Sequence, residues 1–159
     1  SDVYKRQLSP RMRLDVAVNL LTFQALSKNK ITVLGGKQVR PNIHIDDITD
    51  LYLHLISNRN NINSGCFNAG FENISIMEIA NTIKSKLNCE IAIKESNDPR
   101  SYRQDSSRIL QTGFSPSKNV EIAIEEIKIK GNVKVKRTIE NKISPNLFNF
   151  NSLGLFNLK

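Results

Sequence analysis

The chain has 159 residues, 39% of them apolar and 24% charged, and its 23 Lys+Arg outnumber its 15 Asp+Glu to give a formal charge of +8. That length fits one domain-sized core, and no run approaches the roughly 18 apolar residues of a membrane span. The charge argues against a nucleic-acid surface: residues 14–127 hold 12 basic and 13 acidic side chains, so the excess sits at the two ends, whereas an electrostatic footprint would be a stripe on a folded face.

Ser1 to Gln7 resembles a translated adapter tag, so residues 1–7 are read as extraneous. Leu14, Ala17, Val18, Leu21 and Ala25 recur at helical spacing and predict a helix from about Arg11 to Ser27. Asn19 interrupts that stripe; taken alone, it reads as a polar position on the exposed face. Ile31 to Leu34 is a short β-branched strand, and Gly35-Gly36 supplies a tight turn into a second strand, Val39 to Ile45, which predicts a hairpin.

Arg40 stands at the mouth of that second strand. Its guanidinium is always charged and presents a planar fork of donors that matches phosphate oxygens, which makes it a candidate anchor for a phosphorylated ligand. Asp46 suits the N-cap of the helix that follows, and with Asp47 it opposes the helix dipole, while Ile48, Leu51, Tyr52 and Leu55 form the apolar stripe. His44 alternates with Ile43 and Ile45 and reads as structural. With no serine or cysteine nucleophile beside it and no second histidine at ligand spacing, triad and zinc readings both fail. His54 falls on the polar side of its helix and reads as solvated.

Residues 58–64 form a polar linker, and Cys66-Phe67-Asn68 returns as a strand. Ser75 and Glu78 have capping-box spacing, and Ile76, Ile79, Ala80, Ile83 and Leu87 mark the helix they open. Glu90 to Glu95 alternates as a half-buried strand, broken by Asp98-Pro99. Arg100, Tyr102 and Arg103 then give a loop with donors for a diphosphate and an aromatic edge for a ribose or base; a solvated basic loop is the plainer alternative. Ser107 to Thr112 suits a short helix stopped by Gly113, and Val120, Ala123, Ile124 and Ile127 share a face of the last helix. Lys128 to Lys136 alternates like a strand, and residues 131–159 as a whole read as a divergent, poorly ordered tail. Cys66, in a buried-looking strand, and Cys89, at a helix end, show no paired spacing, so reduced thiols and a cytoplasmic location are expected.

Six of these segments carry a resemblance to one family, Ile31 to Gly36 among them as its short strand-and-glycine turn. Arg40 to Asp47 resembles the Arg-x-x-x-His-Val-x-Asp strand-to-helix turn of the extended short-chain dehydrogenase/reductase family, the NAD-dependent epimerases and dehydratases of nucleotide sugars. Ser9 to Asp15 with Val18-Asn19-Leu20 is similar to the helix after that family's substrate loop. Cys66 to Gly70 is similar to its Phe-Asn-x-Gly strand end, and Asp98 to Arg103 with Asp105, Ser107 and Arg108 to its late phosphate-binding segment, although an Arg-Pro-Gly-Asp version of that segment is not present. The Gly113-Phe114-Ser115-Pro116 turn is similar to the one that introduces its last helix.

The resemblance spans roughly residues 8 to 128 and implies an α/β fold: the C-terminal part of an extended Rossmann-type fold with its small substrate-binding subdomain, over residues 8–130. It implies a nucleoside-diphosphate sugar as ligand, held by Asn19, Leu20, Thr32, Arg40, Arg100 and Tyr102. Asn19 would meet the diphosphate and the backbone near Thr32 and Val33 the nucleobase. It implies NAD or NADP in the parent enzyme, which is expected to dimerise. Yet this chain has neither the Gly-x-x-Gly-x-x-Gly fingerprint nor a Tyr-x-x-x-Lys pair. The expectation is therefore a substrate-gripping fragment, inactive alone, with no metal, no membrane and no nucleic-acid partner; a noncatalytic nucleotide-binding or assembly module is the alternative, and a basic-tailed nucleic-acid binder the third.

Overall fold

The structure is a computed structural model that describes residues 14–96 and 100–129. The readings of residues 1–7 as a tag, of Arg11–Arg13 as the start of a helix, of Asp98–Pro99 as a strand breaker and of 131–159 as a tail fall outside these residues.

Two helix-then-strand units lie side by side. Helix α1 (Ala17–Lys28) leads into β1 (Lys30–Leu34), and α3 (Ile76–Leu87) leads into β4 (Glu90–Lys94). Each helix ends on an asparagine in the left-handed region, Asn29 at φ 52° and Asn88 at φ 49°, a conformation that asparagine tolerates better than most side chains. The chain can thus reverse into its strand within one or two residues. β1 and β4 pair in parallel, with Ile31 opposite Ile91 and Val33 opposite Ile93. Val18, Leu21 and Ala25 of α1, Ile31 and Val33 of β1 and Ile79, Ala80 and Ile83 of α3 close the main core. The last helix, α5 (residues 120–129), adds Val120, Ala123, Ile124 and Ile127.

The predicted hairpin does not form. β1 takes β4 as its partner, while β2 (Val39–Asn42) pairs antiparallel with β3 (Glu72–Ser75) in a separate sheet. The glycine turn explains why. Gly35 (φ 72°) donates its N–H to Lys94 O at 2.8 Å, prolonging the parallel ladder, and Gln38 folds back so that its Oε1 accepts from Gly36 N–H at 2.8 Å. The chain is released towards the second sheet instead of returning along β1.

Other boundaries also shift. α1 is Ala17–Lys28, with residues 14–16, expected as helix, forming a bend. β2 stops at Asn42, and residues 66–71 are irregular where a strand was expected, the pairing falling on Glu72–Ser75. Cys66 is accordingly exposed. α2 (Ile45–Ser57) buries Leu51 but leaves Tyr52 at 53% exposure, outside the expected stripe. The Ser75–Glu78 capping box forms as read, and α4 (Ser107–Leu110) is the expected short helix, with Gly113 at φ 88° beyond it. Lys128 and Ile129 continue α5 instead of opening a strand. Leu51, Ile109 and Phe114, with Leu55, Phe67, Ala69 and Phe71 against them, make a second, smaller core.

Candidate functional site

Three of the six expected binding residues meet on the free edge of β2. Arg40 Nη1 donates to its neighbour's carbonyl, Val39 O, at 2.9 Å and to Arg100 O at 2.5 Å, and the guanidinium carbon lies 4.8 Å from the centre of the Tyr102 ring. The loop is zipped to the strand around them: Val39 N–H donates to Ser101 Oγ at 3.0 Å, and Tyr102 N–H to Val39 O at 3.3 Å. A planar cation stacked on an aromatic face and fixed by carbonyls has lost most of its rotamer freedom before any ligand arrives. The Tyr102 side chain remains 56% exposed.

The loop is held further along as well. Asn73 of β3 exchanges two hydrogen bonds with the Gln104 backbone, Nδ2 to O at 3.0 Å and N–H to Oδ1 at 2.8 Å. Ser106 Oγ accepts from Gly70 N–H at 3.0 Å, and Asn68 Nδ2 donates to Asp105 O at 3.1 Å. Residues 101–106 thus form a strap laid along β2, β3 and the 68–70 segment. Sequence reasoning missed this: Asn73 carries no motif, Asn68 and Ser101 stand out only as members of longer segments, and only their small polar character hinted at backbone hydrogen bonding.

Arg103 does not join the Arg40 group. It acts instead on Glu78, whose carboxyl is held below its usual range first by the Ser75 hydroxyl and amide and then by the Arg103 charge. Asp105 is likewise depressed, by the Ser107 amide and hydroxyl. Asn19 is fully buried in α1, so its reading as an exposed polar position is wrong. Leu20 beside it is half-buried. Thr32 lies in the middle of β1, in the other sheet, with its N–H bonded to Gln24 Oε1 at 3.0 Å.

Below β2 the chain enters α2, and its capping differs from the expectation. His44, not Asp46, is the N-cap: its Nδ1 accepts from Asp46 N–H at 3.2 Å, which leaves the ring proton of the neutral tautomer on Nε2, 3.4 Å from Glu126 Oε2. Asp47 is 1% exposed and reaches out of its helix, accepting from Ser117 N–H (2.8 Å), Ser117 Oγ–H (3.1 Å) and Lys118 N–H (3.2 Å). His44, Asp46 and Glu126 bring ligand-type atoms within 4.8 Å of one another. Their chemistry is that of a capping network, since Nδ1 serves the helix and Lys118 Nζ lies 3.9 Å from Asp46 and 3.7 Å from Glu126. His54 is not simply solvated: its Nε2 bonds Thr112 Oγ1 at 3.0 Å and its ring lies 5.7 Å from that of Phe114.

Two surface clefts lie apart from the Arg40 group, and none of the six expected residues lines either. One, of about 360 Å³, runs between the 58–63 segment and α4; the other, of about 440 Å³, is lined by Glu72, Glu78, Asn81 and Glu121 among others. Among the described residues no helix is long and apolar enough to cross a membrane.

No protein-family model matches the chain. Solved structures do. The chain superposes on UDP-glucuronic acid 4-epimerase from Bacillus cereus, in complex with UDP-glucuronic acid and NAD, with a TM-score of 0.62 and 24% identity, over 80% of this chain and 42% of that one. It matches RMD from Pseudomonas aeruginosa, complexed with NADPH, with a TM-score of 0.67 and 15% identity over 80% and 46%. It also matches the NAD-dependent NDP-hexosamine 5,6-dehydratase TunA, with a TM-score of 0.61 and 22% identity over 82% and 42%. These likenesses establish the fold: α/β, of the Rossmann type found in NAD-dependent epimerases and dehydratases. The chain spans less than half the length of these neighbours.

The described residues do not fit the nicotinamide cofactor those neighbours use. A dinucleotide site of this kind needs a parallel strand, a glycine-rich turn and a helix whose N-terminus faces the pyrophosphate. β1 is parallel and is followed by two glycines, but the next element is β2 rather than a helix. Its turn is also filled. The Gly36 amide is taken by Gln38, and Met77 Cε would stand 2.9 Å from a Cβ placed on Gly36.

Proposed function

We propose that this chain is the sugar-nucleotide-gripping portion of an NAD(P)-dependent nucleotide-sugar epimerase or dehydratase. The observation that carries the proposal is the convergence of Arg40 with the Arg100 carbonyl and the Tyr102 ring, from a loop 60 residues further along the chain, on one edge of β2. A diphosphate needs a pre-oriented fork of donors, which Arg40 supplies, and a nucleoside needs a π-face or an aromatic edge, which the exposed Tyr102 supplies. Arg100 adds a second positive charge from the same loop. The resemblance adds Asn19, for the diphosphate, with Leu20 and Thr32, for the base, to the proposed set, although here Asn19 is fully buried in α1 and Thr32 lies in the other sheet.

The part played by these residues is positional. Fixing the diphosphate and nucleoside would leave the sugar as the mobile end of the ligand, presented to groups contributed by the rest of the enzyme. No proton or hydride transfer is assigned to any residue here, and the chain alone is expected to give no NADH with any sugar nucleotide. The enzyme is proposed to be cytoplasmic and to work as a homodimer.

Calorimetric titration with UDP and with dTDP tests the reading. Saturable binding is expected, and Arg40→Ala should weaken it about tenfold or more, since a hydrogen bond from a charged group contributes about 1.5–3 kcal/mol. Absence of binding, or binding indifferent to Arg40→Ala, would remove the basis of the proposal. Short duplex DNA is the control: steeply salt-dependent affinity for it, unaffected by Arg40→Ala, would favour the nucleic-acid alternative.

A further inference from the structure

The cleft beside α4 is not used by the function proposed above, and its lining has a definite chemical character. Asn58, Asn61, Asn63, Phe67, Arg108 and Gln111 are among the residues that line it, and no carboxylate does. Arg108 is built into place: its Nη1 donates to Cys66 O at 3.1 Å, its guanidinium carbon lies 4.8 Å from the centre of the Phe67 ring, and Nη2 rests against Gly65, 2.8 Å from where a Cβ would stand. Gly65, at φ +157°, leaves the room that a larger residue would fill. Among the described residues Arg108 makes no ion pair, so its charge is balanced only by a carbonyl and a ring. The side chains of Asn61, Asn63 and Gln111 make no hydrogen bond to other described residues, and each offers both a donor and an acceptor.

A fixed guanidinium with open N–H donors asks for an oxyanion; neighbouring amides, able to give and accept, ask for hydroxyl groups. The volume, about 360 Å³, lies at the small end of ligand clefts. We infer that this cleft is a second, separate binding site for a small anionic saccharide, a hydroxylated ring bearing one phosphate or carboxylate, with Arg108 holding the oxyanion and Asn61, Asn63 and Gln111 the hydroxyls. The inference does not depend on the sugar-nucleotide site at Arg40.

The test is a titration of the isotope-labelled chain, followed residue by residue in NMR spectra, with glucose 1-phosphate, glucuronate, inorganic phosphate and glucose. Glucose 1-phosphate or glucuronate should give saturable shifts at residues 61, 63, 108 and 111. Whichever of the two binds more tightly identifies the anion. Arg108→Lys, which keeps the charge but loses the fork, should weaken binding about tenfold, and Gln111→Ala several-fold. Arg40→Ala should leave it unchanged, which separates this site from the other. Both Arg108→Lys and Gln111→Ala test the idea even if Arg108→Ala unfolds the Phe67 packing. No shifts at these residues, glucose binding as well as its phosphate, or inorganic phosphate binding as well as the sugar phosphate would each overturn the assignment.

Discussion

Replacing Asp47 by alanine should be among the most damaging single changes in this chain outside its apolar core. The carboxylate is 1% exposed and accepts three hydrogen bonds from the 117–118 turn, two of them from backbone N–H groups that have no other described partner. Ser117 is exposed, so its hydroxyl can turn to water, but the two amides lie at the junction of α2 with the start of α5. An orphaned buried donor costs about 1–3 kcal/mol, and two partly shielded ones together with the lost charge-assisted bonds give about 3 kcal/mol. A domain of this size has about 5–15 kcal/mol to lose. With a urea m-value of about 1.5 kcal/mol/M, the midpoint of denaturation should fall by about 2 M at unchanged slope. Asp47→Asn should cost less than alanine, because one oxygen still accepts while its amide NH₂ faces a donor. A loss below about 1 kcal/mol for Asp47→Ala would refute the claim that this side chain pins α2 to the 117–118 turn.

Gly36→Ala should destabilise by about 1–3 kcal/mol in thermal or chemical melts, because φ is +100° and the new methyl would stand 2.9 Å from Met77 Cε; Gly113→Ala, also at positive φ but with open space around it, should cost less. Glu78 and Asp105 both have depressed folded-state pKa values, so the stability they add is present above their unfolded values and lost as pH falls through the carboxylate range. The acid limb of a stability-versus-pH curve should therefore flatten in Glu78→Gln, and Ser75→Ala, which removes the partner hydroxyl, should cost about 1 kcal/mol near neutral pH. The two thiols should separate cleanly under a thiol reagent at neutral pH. Exposed Cys66 should react at once, and Cys89, buried and pushed up by burial, only on unfolding; equal rates would contradict the packing of Cys89 in the main core.

Much of the architecture can be read from the residues because local rules decide it. The Ser75-to-Glu78 spacing specifies a helix start whatever surrounds it, and the stripes of α3 and α5 announce which faces are buried. The strand at Glu90 to Lys94 and the stop at Gly113 follow from alternation and from a backbone angle that glycine favours. Arg40, Arg100 and Tyr102 were each legible as candidates, from charge and aromaticity in loops or at a strand mouth.

What the sequence could not decide was partnership. Whether β1 pairs with the next strand or with one 60 residues on depends on competition between ladders, and here Gln38 and the Lys94 carbonyl settle it by occupying the glycine amides. Which of His44, Asp46 and Asp47 caps the helix depends on what each can reach: the imidazole takes the cap, and Asp47 is drawn away by donors 70 residues distant. His54 and Asn19 read as solvated for the same reason, since a polar side chain in a pattern looks exposed until a partner is brought to it. Periodicity is a property of one segment and survives in any surroundings, whereas a hydrogen bond between segments exists only once packing has set the distance. By itself the sequence thus determined the main helices, the strands β1, β2 and β4 and a list of chemically able residues, and the tertiary structure alone decided that Glu72–Ser75 would be the remaining strand and that Arg40 and Tyr102 would stack together on the edge of β2.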